Sequence, residues 1–585
     1  MANLLEGYGQ ALRATAERNR SPRLPYDEMF SVGDEADRDE GVRPSYEQLN
    51  RTFAEMSEDE IRGRAEALAS SYLAQGVTFD FAGEERPFPL DAIPRIIAED
   101  EWAHIERGIK QRVSALEAFL DDVYGPQEAV RDGAIPAQVI ASSPNFLRQA
   151  CDIVSGNGVR VHVAGIDLIR DEEGTWRVLE DNVRVPSGVS YVISNRQVMA
   201  QTLPELFTEM TVRGVDDYPT RLLETLRASA PDGADEPTVV VLTPGVYNSA
   251  YYEHTLLARL MGVELVEGRD LFCSGGYVWM RTTRGPQRVD VIYRRVDDDF
   301  LDPLQFRADS VLSAPGLLLA ARLGHVTLAN AIGNGVADDK LVYTYMPDLI
   351  RYYLHDEPII PNVDTWRLEE PDALAEVLDR LEEFVVKPVD GAGGKGLVVG
   401  AVASPVELDQ LRSRLLKNPR GWVAQRIIQL STIPTLVTEG VRPRHSDLRP
   451  FVLNHGDDIW VLPGGLTRVA LPQGSLVVNS SQGGGSKDTW VVGTDEEEPA
   501  TPSASITLHA WASRSHRQQQ AVTDPDDPAR FVQQMQHQQQ TSSDERPCEG
   551  GTIAETSLAP SAGVNSVPLH VEPDFTRENE EVSSC

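Results

Sequence analysis

Polar and apolar positions alternate in two separate stretches, one early and one late in the chain. The early stretch predicts strands at 159–163, 166–169 and 176–180, with a turn of acidic residues and glycine at 171–174. The late stretch, 384–399, has two β-branched runs around a glycine-rich loop. Both stretches therefore predict antiparallel hairpins, and both carry charged side chains on their strands.

Helical periodicity predicts a different structure for most of the N-terminal half. Residues 1–95 are predicted to be helices joined by loops, and Ser57 followed by three acidic residues is typical of a capped helix start. Two further helices are predicted within 100–150 and more within 195–229, ahead of a polar linker at 230–236.

A strand, a helix and a second strand follow in the order that forms a parallel sheet. The predicted strands are 238–242 and 263–266, and the helix is 251–261. At the other end, glutamine repeats, serine, proline and acidic residues with few aromatics predict a disordered tail over 493–585. The fold class expected is therefore a multidomain mixture of α/β and α+β structure.

Size and charge exclude several classes of function. The 585 residues, 41% of them hydrophobic, suffice for several cores, and no apolar run of about 18 residues predicts a membrane span. The formal charge of −36 argues against nucleic acid or an anionic membrane as partner. The cysteines lack paired spacing and the N-terminus lacks a secretory pattern, so we expect a cytoplasmic protein without a zinc site.

The glycine loop of the late hairpin follows a strand lysine, Lys387, and predicts a cradle for phosphate groups. It differs from a P-loop because Lys395 is followed by glycine. Its glycine spacing matches a dinucleotide fingerprint, but strand-like rather than helical residues come next, and the kinase tripeptides His-Arg-Asp and Asp-Phe-Gly do not occur. The candidate phosphate-binding glycines are Gly391, Gly393, Gly394 and Gly396.

The early hairpin carries candidate metal ligands. Glu180 and Asn182 share one face of a strand, and pairing through the turn could bring Asp167 beside them. Two carboxylates and an amide oxygen suit Mg²⁺ that is also held by phosphates. An ordinary hairpin with surface acids fits the same pattern, so both interpretations stay open.

Several cations could neutralise a triphosphate, although a solvated surface position is the usual alternative for any one of them. Lys387 differs because its apolar neighbours predict a half-buried strand, where an unpaired ammonium is costly. The candidates are Lys340, Lys387, Arg449 and Arg468.

Two more segments are candidates for ligand binding. Asn479 and Ser480 open a glycine-rich loop that ends at Lys487, and this loop could wrap an anionic ligand or be an ordinary polar loop. Arg294 and Arg295 precede three aspartates and could hold a carboxylate substrate or form surface pairs with those acids.

Together these residues resemble the ATP-grasp superfamily. Asp338-Asp-Lys340 resembles the start of its nucleotide lobe, and Phe384-Val-Val-Lys387-Pro with the glycines resembles its lysine strand and loop. Val423-Ala-Gln425 resembles the hinge that contacts adenine. Asp167…Glu180-x-Asn182 is similar to the magnesium motif of D-alanine ligase-type enzymes.

The order of these motifs points to a permuted relative. The magnesium motif normally comes last, whereas here it precedes the nucleotide lobe, which is similar to the circularly permuted ATP-grasp proteins related to glutathionylspermidine synthase. The resemblance implies a circularly permuted ATP-grasp fold in five segments. They are an N-terminal helical region (1–95), a permuted segment with the magnesium motif (96–230), a Rossmann-like pre-ATP-grasp domain (237–335), the nucleotide lobe (336–492) and the tail (493–585).

The resemblance also implies a reaction. ATP and Mg²⁺ would be the cofactors, and a small carboxylate and an amine or short peptide would be joined through an acyl phosphate. Gly165 stands where D-alanine ligase-type enzymes have an arginine, so Arg449 or Arg468 would have to meet the charge of the transition state, with Arg294 as a third catalytic candidate. A kinase and a non-catalytic nucleotide-binding scaffold are the alternatives, and a homo-oligomer stays open.

Overall fold

The computed structural model describes residues 5, 7–18, 23–32, 39–81, 84–87, 89–389, 396–473, 475, 478 and 484–493. The helices in these ranges are α1 (Tyr8–Arg18), α2 (Glu47–Glu55), α3 (Glu58–Gln75), α4 (Glu99–Val123), α5 (Glu128–Arg131), α6 (Ala137–Ala141), α7 (Val189–Thr202), α8 (Pro204–Glu209), α9 (Tyr218–Ala228), α10 (Tyr251–Met261), α11 (Leu317–Arg322), α12 (Lys340–Tyr343), α13 (Met346–Leu354), α14 (Pro371–Asp379) and α15 (Pro405–Lys417).

The strands in the same ranges are β1 (Phe30–Val32), β2 (Asp39–Val42), β3 (Thr78–Phe81), β4 (Glu84–Pro87), β5 (Arg95–Ala98), β6 (Val163–Arg170), β7 (Trp176–Asn182), β8 (Val239–Leu242), β9 (Glu264–Val266), β10 (Leu271–Ser274), β11 (Tyr277–Thr282), β12 (Gly285–Val289), β13 (Val291–Arg294), β14 (Thr327–Ala329), β15 (Thr365–Arg367), β16 (Phe384–Pro388), β17 (Val398–Val399), β18 (Trp422–Arg426), β19 (Thr432–Val437), β20 (Gly440–Arg449), β21 (Phe451–Asn454), β22 (Ile459–Val461), β23 (Leu466–Val469), β24 (Gly485–Lys487) and β25 (Thr489–Val492).

The largest sheet joins early and late parts of the chain. Its order is β22-β21-β6-β20-β23-β24, with β7 on β6 and β19 on β20. Strands β20 and β21 continue one register along β6, because Leu448 pairs with Leu168 and Phe451 pairs with Gly165. The same register places Arg449 across from Asp167. Strand pairing therefore brings the acidic hairpin next to a strand almost three hundred residues later.

Strand β6 begins later than the sequence pattern predicted. All eight of its residues are buried, so no polar face marks its start. The predicted strand at 159–163 is wrong for its first four positions, since the backbone N–H groups of Arg160 and Val161 donate to the Glu117 carboxylate at 2.6 and 2.8 Å rather than to a neighbouring strand.

A second sheet has the order β14-β13-β8-β9, and all of its strand pairs are parallel. Helix α10 connects β8 to β9, as the predicted strand–helix–strand order requires. The antiparallel strands β10, β11 and β12 lie between β9 and β13 in the chain and form a sheet of their own.

The late hairpin belongs to a separate antiparallel sheet with the order β15-β18-β16-β17. Phe384 and Val386 of β16 pack into a core with Leu408, Leu411 and Leu415 of α15. Because side chains alternate along a strand, Lys387 points away from this core. Its direction is thus fixed by the packing of its apolar neighbours.

The N-terminal region is not wholly helical. It contains α1, α2 and α3, as expected, but also the paired strands β1 and β2 and the paired strands β3 and β4. Just beyond it, β5 pairs in parallel with β25 from the end of the described chain. The domain boundaries implied by the resemblance stay a prediction.

Candidate active site

A β-bulge in the early hairpin brings Glu180 opposite Asp167. The pairing of β6 with β7 shifts by one residue between Asp167 and Leu168, which leaves Leu179 as an extra residue of β7. Without the bulge, Asp167 would face Leu179, and Glu180 would point to the opposite face of the sheet. Asn182, two residues further on, shares the face of Glu180. The structure therefore brings together the three predicted metal ligands.

Asp167 lies between two arginines. Arg449 donates from Nε to Oδ1 at 2.5 Å and from Nη2 to Oδ2 at 2.7 Å, while Arg468 Nη2 donates to Oδ2 at 2.7 Å. Burial alone would raise the pKa of Asp167, but the two guanidinium groups outweigh it and hold that pKa well below its usual range. Asp167 is therefore an ionised carboxylate.

Gly165 makes room for Arg449. A Cβ atom at position 165 would lie 3.3 Å from Cδ of Arg449 and 3.2 Å from Cβ of Pro186. A larger residue would crowd both neighbours, so Arg449 or Pro186 would have to shift by a few tenths of an ångström. The guanidinium therefore reaches Asp167 from the neighbouring strand, over the space that Gly165 leaves.

Sequence reasoning missed Asp447. Its carboxylate accepts hydrogen bonds from Arg468, at 3.0 Å from Nε to each oxygen and at 2.5 Å from Nη2 to Oδ2, and it is fully buried. The available signal was strand alternation, because Asp447 precedes Arg449 by two residues and must share its face.

One of the predicted lysines, Lys340, lies close to the acidic hairpin. Lys340 Nζ lies 4.0 Å from Glu180 Oε2, and Arg449 Nη2 lies 4.0 Å from Glu180 Oε1. The backbone N–H of Lys340 donates to the carbonyl of Val389 at 3.2 Å, just after β16. This contact ties Lys340 to the end of the lysine strand.

Lys387 and Gln425 form a pair on adjacent strands. Lys387 Nζ donates to Gln425 Oε1 at 2.5 Å, and Gln425 Nε2 donates to Thr365 Oγ1 at 3.1 Å. Burial lowers the pKa of Lys387 to about 8, with the charge of Glu180 opposing the shift and that of Lys340 adding to it. Lys387 therefore shares an electrostatic environment with the acidic hairpin.

The donor set fits Mg²⁺ that is shared with phosphates. Mg²⁺ in nucleotide sites is usually held by one or two carboxylates, with phosphates and water completing its shell. The Glu180 side chain is 31% exposed, and the buried Nδ2 of Asn182 has no hydrogen-bond partner among the described residues. The part of the chain that the structure describes contains no group of three or more His, Cys, Asp or Glu side chains placed to hold a metal.

Asp338 connects the start of the predicted nucleotide lobe to the acidic hairpin. Its Oδ1 accepts a hydrogen bond from the backbone N–H of Val183 at 2.7 Å, and its Oδ2 lies 3.4 Å from Nε of Arg184. Burial raises the pKa of Asp338 to about 7, although Arg184 opposes the shift. This carboxyl holds the chain just after Asn182.

Arg294 lies elsewhere and is neither a surface group nor an open carboxylate receptor. It is buried, and its three nitrogens donate to the backbone carbonyls of Asn330, Val296 and Ala331 at 2.7, 2.9 and 3.0 Å. Its Nη2 also pairs with Asp298 at 2.9 Å. The prediction of a catalytic Arg294 is therefore corrected, since these contacts make it a structural group.

Part of the predicted phosphate loop can be placed. Gly396 has a φ of +71°, which favours glycine, and a Cβ there would lie 3.2 Å from Cγ of Pro388. Lys487, which closes the second glycine loop, is buried and donates to Asp91 and to two backbone carbonyls, so it serves the fold. The remaining candidates lie outside the described residues: Gly391, Gly393, Gly394, Asn479 and Ser480.

Across the ranges that the structure describes, no helix combines the length and the apolar character needed to cross a membrane.

Curated relatives cover most of the chain. An uncharacterized protein of Mycobacterium tuberculosis is 58% identical over 470 residues, 80% of this chain and 84% of its own. An uncharacterized protein of Synechocystis is 52% identical over 474 residues, 80% of this chain and 97% of its own. A Frankia casuarinae protein named "Putative glutamate--cysteine ligase 2-2" is 44% identical over 494 residues, which is 83% of this chain and 56% of that protein.

A solved structure shows the same fold at low identity. A glutathione synthetase-like effector of Globodera pallida matches with a TM-score of 0.50 and 11% identity, over 75% of this chain and 98% of that one. A family model described as circularly permuted ATP-grasp type 2 matches residues 94–470, more than half of the sequence. The permuted order of its motifs and this match agree, and the chain belongs to the circularly permuted ATP-grasp type 2 family.

Proposed function

We propose that the protein is an ATP- and Mg²⁺-dependent ligase that joins a carboxylate to an amine through an acyl phosphate. The observation that carries the proposal is the convergence of groups that are remote in the chain: Arg449 binds Asp167, and Lys340 Nζ lies 4.0 Å from Glu180 Oε2. The name of the Frankia casuarinae relative, which refers to glutamate–cysteine ligase, supports the same class of reaction. Amino-acid-like substrates in the cytoplasm fit this proposal.

The residues that bind the nucleotide lie in the later part of the chain. Lys340 and Lys387 offset the negative charge of the triphosphate, and Gln425 holds the Lys387 ammonium in one direction. The strand that carries Gln425 is the proposed adenine hinge. The glycine loop after β16 would cover the transferred phosphate and keep water from it.

The early hairpin supplies the oxygen ligands. Asp167, Glu180 and Asn182 would hold Mg²⁺, which when bound neutralises phosphate charge and aligns the γ-phosphate. Because Arg449 and Arg468 both bind Asp167, that carboxylate stays ionised and fixed in position. Asp338 fixes the backbone that follows Asn182.

The chemistry proceeds in two transfers. A carboxylate oxygen of the acid substrate attacks the γ-phosphorus, the bond to ADP breaks, and an acyl phosphate forms. The uncharged amine then attacks the carbonyl carbon, the carbon–oxygen bond to phosphate breaks, and an amide forms as the proton lost by nitrogen leaves with the phosphate. Arg449 and Arg468 are the proposed cations that meet the charge developing on the transferred phosphoryl group, so protein groups mainly position and stabilise.

One assay separates this proposal from its alternatives. Purified protein is incubated with Mg-ATP and pooled amino acids and polyamines, and ADP, AMP, phosphate and new products are quantified. ADP and phosphate formed only when both an acid and an amine are present support ligation. A phosphorylated small molecule would instead establish a kinase, and no turnover with any pool would favour a binding scaffold.

A further inference from the structure

One guanidinium group bridges two buried carboxylates in the largest sheet. Arg468 Nη2 lies 2.7 Å from Asp167 Oδ2 and 2.5 Å from Asp447 Oδ2, and Arg468 Nε lies 3.0 Å from both oxygens of Asp447. Asp447 and Arg468 are directly opposed across β20 and β23. Arg468 therefore has more contacts with Asp447 than with Asp167.

The backbone of Asp447 is held by another buried arginine. Its backbone carbonyl accepts a hydrogen bond from Arg95 Nη1 at 2.9 Å, and Arg95 pairs with Glu28 at 2.6 Å in a fully buried contact. Asp447 is buried completely. The backbone at Asp447 is therefore held by a group other than Arg468, and the short side chain presents its carboxylate to Arg468 from that position.

The charges explain why a second acid is needed. Arg449 and Arg468 together bring two positive charges to Asp167, which as a lone acid would be over-neutralised and would bind a divalent cation poorly. Asp447 pairs with Arg468, including its Nε, and its negative charge balances the second positive charge. The negative charge of Asp167 is then not fully neutralised and can attract a cation that approaches from the side of Glu180.

We infer that Asp447 is a positioning residue: through Arg468 it keeps Asp167 oriented and charged enough to bind the divalent cation of the nucleotide site. Asp447 acts through Arg468 and touches no reactant in this scheme. The inference rests on the proposed function for the presence of that cation. It does not depend on which acid or amine is joined.

The test measures cation binding directly. Mn²⁺ binding is followed by electron paramagnetic resonance in the presence of a non-hydrolysable ATP analogue, for wild type, Asp447→Asn and Asp488→Asn. Asp488 is the matched control, since it is also buried and pairs with an arginine, Arg196, at 2.9 Å. Loss of a residue behind a metal ligand typically weakens metal binding roughly 10-fold or more, and we expect that loss for Asp447→Asn alone.

Thermal unfolding of the same samples separates positioning from stability. Both Asn variants should unfold at lower temperature, but only Asp447→Asn should lose Mn²⁺ affinity. Equal Mn²⁺ affinity in Asp447→Asn and wild type would overturn the inference. If Asp447→Asn does not fold, Arg468→Lys replaces it: lysine keeps the charge but lacks the Nε contact, and wild-type Mn²⁺ affinity in that variant would overturn the inference equally.

The ligase proposal fails separately from this inference. Wild-type protein that binds Mn²⁺ with the analogue but forms no ligated product contradicts ligation and leaves the positioning role intact. Wild-type protein that binds no Mn²⁺ with the analogue contradicts the positioning role directly.

Discussion

Arg449 lies across Gly165, with its Cδ 3.3 Å from the place where a Cβ atom of residue 165 would stand. From there its guanidinium reaches Asp167 through two hydrogen bonds. The absence of a side chain at Gly165 on β6 and the position of Arg449 on β20 therefore depend on each other. A cation thus reaches Asp167 from the strand beside β6.

This arrangement predicts a specific sensitivity at position 165. Gly165→Ala should keep the fold but displace Arg449 by a few tenths of an ångström, and we expect kcat to fall by roughly 3- to 10-fold, since small misplacements are costly in a preorganised site. Gly9→Ala is the control, because a Cβ there meets no atom within 4 Å. Steady-state kinetics that show equal kcat for both variants would contradict this account of Gly165.

The lowered pKa of Lys387 predicts an alkaline limit to nucleotide capture. Its ammonium is present below about pH 8 and is lost as pH rises through that value, well before an ordinary lysine would titrate. The ratio kcat/KM for ATP should therefore fall above about pH 8, because that ratio reports groups of the free enzyme. Lys387→Arg should remove the fall, since guanidinium stays charged. A flat wild-type profile would contradict the assignment.

Gln425 offers a way to move that limit. In Gln425→Glu a carboxylate replaces the amide oxygen that lies 2.5 Å from Lys387 Nζ, so the ammonium gains an opposite charge. The pKa of Lys387 should rise by about 1 unit or more, and the alkaline limb of kcat/KM for ATP should move upward with it. If the pH at which kcat/KM for ATP falls stays the same or decreases in Gln425→Glu, Lys387 is not the group whose deprotonation causes the fall.

Arg294 is predicted to matter for stability. Arg294→Met removes donors to three backbone carbonyls and leaves Asp298 without its arginine in a buried setting. Breaking a buried pair of this kind costs about 3–5 kcal/mol, and the free energy of unfolding in urea should fall by that amount. Arg307→Met is the control, because Arg307 pairs with an exposed acid. A similar loss in both variants would contradict the structural role.

Several of the predicted site residues lie close together in the structure. Asp167, Glu180, Asn182 and Lys340 were identified by residue type, strand context and resemblance, and the structure places Glu180 opposite Asp167 and Lys340 Nζ 4.0 Å from Glu180. The alternation of side chains along a strand made this prediction possible, because residues two positions apart share one face. The β8–α10–β9 unit was predicted for a similar reason, since its apolar runs and loop lengths are regular.

The remaining features depend on long-range pairing. The bulge at Leu179 has no local sequence signal, yet it decides the face on which Glu180 lies. Three aspartates follow Arg294, so the sequence left open a carboxylate-binding role and surface ion pairs, but backbone carbonyls from a distant loop cover it. Alternation along β20 could place Asp447 on the face of Arg449, but only the pairing of β20 with β23 sets Arg468 opposite it.

The most direct test of the central claim is a crystal structure with Mg²⁺ and a non-hydrolysable ATP analogue. The account predicts a cation about 2.0–2.1 Å from carboxylate oxygens of Asp167 and Glu180, bridged by the phosphates to the ammonium groups of Lys340 and Lys387. A triphosphate bound away from Lys387, or a cation that contacts neither carboxylate, would contradict it.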